Sequence, residues 1–458
     1  MNEPLPPPFG DLTCQSLLFD LPEAGERPTP APEGGTPRLR RAERHQVVFR
    51  PLALDALLPP EHEARAVWAY VEGLDLDGFI KHIRAVEGRA GRDATDPKIL
   101  TALWLYATLQ GIGSARALDK LCTEHHAFEW LCGGVSVNYH SLSDFRVAHG
   151  EELDALLTQS VAVLRAEELV SLERVAQDGI RVRASAGAAS FRREPTLQEH
   201  LREAQAQVQA LKAELEADPS TAHDRQQQAR CRAAAEQQQR VAQALAHLPE
   251  VAAKKKPADR AEARASTTDA EAHFMKMADG GCRPAYNVQY ATATDSQVIV
   301  GVDVHTTGSD LGQLLPMVEQ IQDRYGETPQ EMLADGNFAK HDDITTLAEP
   351  EYGTTVYSPV KGPNNKANDR YTPKPTDSPA VAAWRQRMVT AAAQVIYKLR
   401  AATAECVNAL ARNRGLQQFL VRGRLKVKCI ALWFAVAHNL RRALTLRAGT
   451  LQGTVNPL

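Results

Sequence analysis

From about residue 46 to 165 the apolar positions follow a helical period. Ile99, Leu103, Tyr106 and Leu109 fall on one face, and Asp96-Pro97 supplies a helix start, so this stretch is expected to be an all-α domain. Gly111-Ile112-Gly113-Ser114 breaks one helix, and Ser114 can cap the next, which carries Arg116 and Lys120 on its surface. A helix-turn-helix and an ordinary helical hairpin both fit that pattern. Between 196 and 250 the composition changes to Gln, Ala, Glu and Arg. There Leu197, Leu201, Ala204, Val208, Leu211 and Leu215 recur at alternating four- and three-residue steps, a coiled-coil seam. Asp218-Pro219-Ser220 marks a turn, and Val241, Leu245 and Leu248 return, so a helical hairpin insertion over 196–255 is expected.

Strand patterns flank this hairpin. Leu172 to Asp178 and Ile180 to Ala184 form an extended run, while Tyr286 to Tyr290 and Gln297 to Val304 read as a β-hairpin turned at Thr294-Asp295-Ser296. A helix over Leu311 to Tyr325 precedes a strand, Glu331 to Ala334. A short helix (His341 to Glu349), a strand (Thr354 to Pro359), a polar loop to about 379 and one long helix from 380 to 413 complete the series. The order β-β-β-α-β-α-β-α predicts an α/β fold with a mixed sheet flanked by helices.

Composition alters the picture mainly at the ends. The first 45 of the 458 residues hold nine of the 27 prolines and few apolar residues, and are expected to be a disordered Pro-rich leader. The longest apolar run, Ile430 to Ala437, is eight residues, far short of the roughly 20 needed to span a bilayer. The seven cysteines are scattered and odd in number, which points to a reducing cytoplasm. Cys122, His125, His126 and Cys132 fit zinc-ligand spacing poorly. The net charge of −3 hides a strong asymmetry: between Val381 and Arg447 thirteen Lys or Arg stand against one acid, Glu405. A local excess of twelve positive charges repels itself unless a polyanion is present, so contact with nucleic acid is expected there. Lys254-Lys255-Lys256, with Arg260 and Arg264, is either a second phosphate contact or a solvated linker.

Candidate chemistry rests on acids. Asp178 and Asp335 each end an apolar strand and precede glycine. Asp-Gly is also a common turn dipeptide, so either aspartate alone reads as a turn. Glu405 lies in a helix with Tyr397, Arg400 and Arg412 around it, and alone it reads as an ion-pair partner. Together they supply hard oxygen ligands for Mg²⁺ beside cations that can grip phosphates, which is what phosphodiester chemistry requires.

Several segments resemble the DDE transposases of bacterial insertion sequences, in the group often numbered IS eleven-eighty-two. Gln177-Asp178-Gly179-Ile180-Arg181-Val182-Arg183-Ala184-Ser185 resembles the strand of the first aspartate. Ser266-Thr267-Thr268-Asp269, Met275 to Gly281, and Pro284-Ala285-Tyr286-Asn287-Val288-Gln289 resemble the central signature of that family. Leu333-Ala334-Asp335-Gly336-Asn337-Phe338 is similar to the second-aspartate strand, although many relatives end it differently. Tyr397-x-x-Arg400-x-x-x-x-Glu405, Arg422-Gly423 and His438-Asn439-Leu440 resemble the third-acid helix and C-terminal tail. The related Tyr-Arg-Glu-Lys signature has its arginine one residue nearer the glutamate, and a lysine where this chain has Arg412.

The resemblance implies an all-α, InsH-like N-terminal DNA-binding domain (46–165), a ribonuclease H-like catalytic domain (166–447) and a tail (448–458). It implies Asp178, Asp335 and Glu405 as catalytic residues holding two Mg²⁺ ions, with Mn²⁺ able to substitute. DNA contacts are expected at Tyr397, Arg400, Arg412 and Arg422 from the resemblance, at Arg424 and Lys426 from the basic run, and at Arg116 and Lys120 from the helix that Ser114 caps. The partners implied are terminal inverted repeats and target DNA, with the protein a homodimer on DNA in the bacterial cytoplasm at the nucleoid. Two rival expectations stand beside this one. One is a non-catalytic DNA-binding relative; the other is a stand-alone Mg²⁺-dependent nuclease. Asp269 and Asp279 read as turn residues, Asp303 as a group behind the site, and His305 as a sheet-edge histidine.

Overall fold

A computed structural model describes residues 53–81, 83, 85, 93–218, 224–362 and 369–453, so the Pro-rich leader lies outside the described residues. Among the described residues the N-terminal part holds seven α-helices: α1 (Glu63–Glu72), α2 (Asp77–Ile80), α3 (Pro97–Leu109), α4 (Ala115–Glu124), α5 (His126–Cys132), α6 (Tyr139–Ala148) and α7 (Gly150–Ala166). Their starts follow from local chemistry. The Asp96 carboxylate accepts from the Lys98 N–H with Pro97 behind it, Ser114 accepts from Ala117, and Asn138 accepts from His140 and Ser141.

The strands are β1 (Arg174–Arg183), β2 (Phe191–Arg192), β3 (Ala265–Ser266), β4 (His273–Lys276), β5 (Cys282–Ala293), β6 (Ile299–His305), β7 (Glu331–Ala334) and β8 (Thr355–Tyr357). The six-stranded sheet runs β4-β5-β1-β7-β8, with β6 also pairing β5. β1, β5 and β6 are antiparallel; β7 and β8 run parallel to β1. β2 and β3 form a separate two-stranded ribbon at the base of a helical hairpin made of α8 (Glu194–Ala217) and α9 (Arg225–Ala253). Leu197, Ala204 and Leu211 of α8 are buried, as are Ala234, Val241, Ala244 and Leu248 of α9, which joins the two helices along the seam seen in the sequence.

The remaining helices are α10 (Leu314–Tyr325), α11 (His341–Leu347), α12 (Pro379–Met388), α13 (Ala391–Arg400), α14 (Cys406–Asn413) and α15 (Arg424–Gly453). The single helix expected over 380–413 is interrupted. Thr390 caps a new helix by accepting from the Ala393 N–H, and Ala401–Glu405 forms a π-helical turn between α13 and α14. The stretch after Arg424 is one long helix whose every residue from Cys429 to Leu440 is buried. α15 packs on α3, α6 and α7 on one side and on β5 and β6 on the other, so the N-terminal helices and the sheet share one core. Asn439 pins it to the sheet: its amide accepts from the Ile299 N–H and donates to the Ile299 carbonyl, both at 2.8 Å. Among the described residues no helix is long and apolar enough to cross a membrane.

Candidate active site

β1 is where the sheet changes character. It pairs with β5 throughout, from Val175↔Ala293 to Arg183↔Ala285, but its parallel pairing with β7 stops at Gln177↔Ala334. Beyond that point, among the described residues, the β7-side edge of β1 is engaged by another backbone segment only near Arg183, which bonds Gln417 and Phe419. A cleft of about 570 Å³ opens along this edge, lined by Asp178, Arg181, Arg183, Asp279, Asp310, Asp335 and Arg412 among others. Asp178 is thus not at a strand end, as its sequence context suggested; it sits mid-strand at the place where the neighbouring strand ends. Asp335, the residue after β7, accepts at Oδ1 from the Asn337 N–H at 2.7 Å and at Oδ2 from the Asn337 amide at 3.1 Å. It therefore forms a turn and still lines the cleft.

The Asp178 carboxylate is held on three sides. Oδ1 accepts from the Gly179 N–H at 3.0 Å and lies 3.2 Å from Arg400 Nη2, and Oδ2 accepts from the Asn408 amide at 3.0 Å. Burial pushes its pKa above the ordinary carboxylate value, against the pull of Arg400, the Gly179 N–H and Asn408. Asn408 is buried, and its carbonyl oxygen has no hydrogen-bond partner among the described residues.

Glu405 reaches the same arginine. Arg400 Nη1 donates to Glu405 Oε1 at 2.5 Å, a five-residue step. In an α-helix residues five apart lie about 140° apart around the axis, so this contact depends on the wider π turn between them. The guanidinium feels Asp178, Glu405 and Asp335 together with Tyr397, and they hold its pKa up although burial opposes the charge. Tyr397 is half-buried beside it.

On the other face of β1, Gly179 is crowded by a polar cluster. A Cβ there would lie 2.5 Å from Gln289 Nε2, 2.6 Å from Asp310 Oδ1 and 2.7 Å from Asn287 Oδ1. The Asn287 and Gln289 amides donate to Asp310 at 2.7 and 2.8 Å, and Gln177 donates to Gln289 at 3.2 Å. Arg181 straps the region by donating to the Lys276 and Gly308 carbonyls.

Oxygen-only donors of this kind suit a hard cation such as Mg²⁺. The unpartnered Asn408 carbonyl oxygen beside Asp178 is a further oxygen of that class. Among the described residues, however, no three His, Cys, Asp or Glu side chains are gathered closely enough to hold an ion, and Arg400 stands between Asp178 and Glu405.

Two stretches of the chain match known families: residues 52–148 match the model described as Transposase domain (DUF772), and residues 361–444 match the Transposase DDE domain. Both are transposase domains, and together they support a DDE-type insertion-sequence transposase. No curated protein and no solved structure matches the chain. The first matched stretch of this transposase contains Arg116 and Lys120, and the second contains Tyr397, Arg400, Glu405, Arg412, Arg422, Arg424 and Lys426; Asp178 and Asp335 lie between the two.

The structure brings together only some of the residues singled out in the sequence. Asp178, Asp335 and Arg412 line one cleft, and Arg400 joins Asp178 to Glu405, with Tyr397 half-buried beside it. Arg422 and Lys426 line a different groove, against α9 of the hairpin, and the Arg424 N–H donates to Glu271. Arg116 and Lys120 are exposed on α4, where Arg116 lies over Tyr139 and Lys120 pairs with Glu124. The basic run is also less available than its count suggested: Arg385 is buried against Asp377, Arg400 is buried, and Arg447 pairs with Glu167. Asp269 is an anchor, accepting from the Tyr286 hydroxyl at 2.6 Å and the Gly423 N–H, and Asp303 pairs with His305 and Lys428. Sequence reasoning missed Asn408 and Asp310. An Asn one turn along a helix carries no distinguishing signal, and Asp310 sits in Gly308-Ser309-Asp310, which reads as an ordinary turn.

Proposed function

We propose that this transposase cuts DNA at the terminal inverted repeats of an insertion sequence and joins the freed 3′-hydroxyls to target DNA, using Asp178, Asp335 and Glu405. The observation that carries this reading is their convergence. Of three acids separated by 157 and 70 positions in sequence, Asp178 and Glu405 both contact the buried Arg400, and Asp178 and Asp335 line one cleft. The sheet order supports a ribonuclease H-like domain: β6, β5 and β1 antiparallel, then β7 and β8 parallel to β1, with the acids on β1, just after β7 and in the π turn between α13 and α14.

Asp178, Asp335 and Glu405 would hold Mg²⁺, with the Asn408 carbonyl beside the first. When bound, the metal supplies a Lewis acid that activates water or a 3′-hydroxyl and stabilises the leaving oxygen. The chain's own residues do the rest. Asn408 and the Gly179 N–H orient the Asp178 carboxylate, and Arg412 and Arg183 present cations to the backbone phosphates. Arg422, Arg424, Lys426, Arg116 and Lys120 contact DNA away from the cleft, and joining two ends requires a dimer on DNA. A strand-transfer assay with pre-cleaved end duplexes, plasmid target and Mg²⁺ tests the reading. Joined products are expected; cleavage of intact ends without joining would identify a nuclease, and neither activity a non-catalytic binder.

A further inference from the structure

Arg400 occupies the space between two of the three candidate metal ligands. Nη2 is 3.2 Å from Asp178 Oδ1 and Nη1 is 2.5 Å from Glu405 Oε1, and the residue is 8% exposed. The pairing is built into the backbone, since the π turn over Ala401–Glu405 is what turns residues five apart onto one face. A guanidinium and a divalent cation cannot share the same two carboxylates without strong repulsion. Nor can Arg400 relieve that repulsion by losing its proton. If displaced, it needs another anion. The cleft's other acids are taken: Asp335 is the third candidate metal ligand and accepts from Asn337, Asp279 pairs with Arg283, and Asp310 accepts the Asn287 and Gln289 amides. The anion that enters this cleft with substrate is a phosphodiester, whose oxygens match the guanidinium fork.

We infer that Arg400 is a resident counter-ion that a divalent metal must displace, and that the DNA backbone phosphate is the anion that draws it away, so that metal loading is coupled to DNA binding. This rests on the reading of Asp178 and Glu405 as metal ligands. In the metal-free protein Arg400 keeps the two carboxylates from repelling each other; with DNA in the cleft it grips phosphate and leaves their oxygens free.

The test measures Mn²⁺ binding to the full-length chain by the electron paramagnetic resonance of free Mn²⁺, with and without a short mixed-sequence duplex. The site is identified as the binding that Asp178→Asn removes. Without DNA, Arg400→Gln is expected to bind Mn²⁺ roughly tenfold or more tightly than wild type. The duplex should tighten wild type by a similar factor and leave Arg400→Gln nearly unchanged. Arg400→Lys, whose single ammonium cannot span both acids, should fall between the two, and it gives the same ordering if the Gln variant fails to fold by circular dichroism. Equal or weaker Asp178-dependent binding in the Arg400 variants would mean that the arginine only props the site, and the proposal fails while the metal reading stands. If Asp178→Asn changes Mn²⁺ binding in no background, even with duplex, both fail.

Discussion

Replacing Gly179 with alanine should destabilise the protein far more than a single methyl group suggests. The new Cβ would fall 2.5, 2.6 and 2.7 Å from polar atoms of Gln289, Asp310 and Asn287, all of them on residues at most 9% exposed. Carbon atoms do not approach that closely, so side chains must shift, and overpacking of this kind costs about 1–3 kcal/mol. Two of the atoms that must move bond each other: Asp310 Oδ1 accepts from Gln289 Nε2 at 2.8 Å, and it also accepts from the Asn287 amide nitrogen at 2.7 Å. Losing one such bond to a charged acceptor adds about 1.5–3 kcal/mol. The sum is roughly 2.5–6 kcal/mol, a large part of the 5–15 kcal/mol that typically holds a protein folded. Urea unfolding followed by circular dichroism measures it, with Gly187→Ala as the control because nothing lies within 4 Å of a Cβ there. The control should stay within about 1 kcal/mol of wild type. If Gly179→Ala also does so, the cluster is looser than its distances imply and the glycine is not required by it. Asp310→Ala in the same background should be less than additive, since trimming the carboxylate makes room for the new methyl.

Three further outcomes follow from particular interactions. Arg385→Met should cost about 3–5 kcal/mol in the same unfolding experiment, because it leaves Asp377, whose side chain is 2% exposed, without its cation; a loss under 1 kcal/mol would show that the pair is readily rehydrated. Burial holds the His438 pKa down at about 4 against 6.5 in the unfolded chain, so above pH 6.5 both states are neutral, and below it the unfolded state takes up a proton that the folded state does not. Stability should therefore fall by on the order of 3 kcal/mol between pH 6.5 and 4, and the pH profile of His438→Gln should be flatter over that window. Replacing Arg422, Arg424 and Lys426 together by alanine should reduce the slope of log binding constant against log salt by about 0.9 for each phosphate that is no longer neutralised; an unchanged slope would place DNA elsewhere.

How far the sequence revealed this molecule depended on whether each element has two unlike faces. β1, the β5–β6 hairpin, β7 and the α8–α9 hairpin carry clear periodicity and lie where it predicts. α15 does not, because a helix buried on all sides between α3, α6, α7 and the sheet has no polar face to set its period. The break before Ala391 turns on one Thr390 hydroxyl, a residue type equally at home inside a helix. The candidate acids were legible as a set only through segment resemblance. By pattern alone Asp178 and Asp335 were turn residues and Glu405 an ion-pair partner, and the structure makes two of those readings true as well: Asp335 forms its turn and Glu405 its ion pair. The π turn that joins Glu405 to Arg400 shows in the sequence only as one extra residue between them. Asn408, which orients Asp178, left no trace because a buried amide resembles any other polar residue until its partner is placed.

The most direct measurement is single-turnover strand cleavage of an inverted-repeat duplex in Mg²⁺ by wild type and by Asp178→Asn, Asp335→Asn and Glu405→Gln, each checked for folding by circular dichroism. Cleavage by wild type and its loss in all three folded variants is the expected result. Mg²⁺-dependent cleavage at the wild-type rate in any one of them would contradict that residue's place in the site.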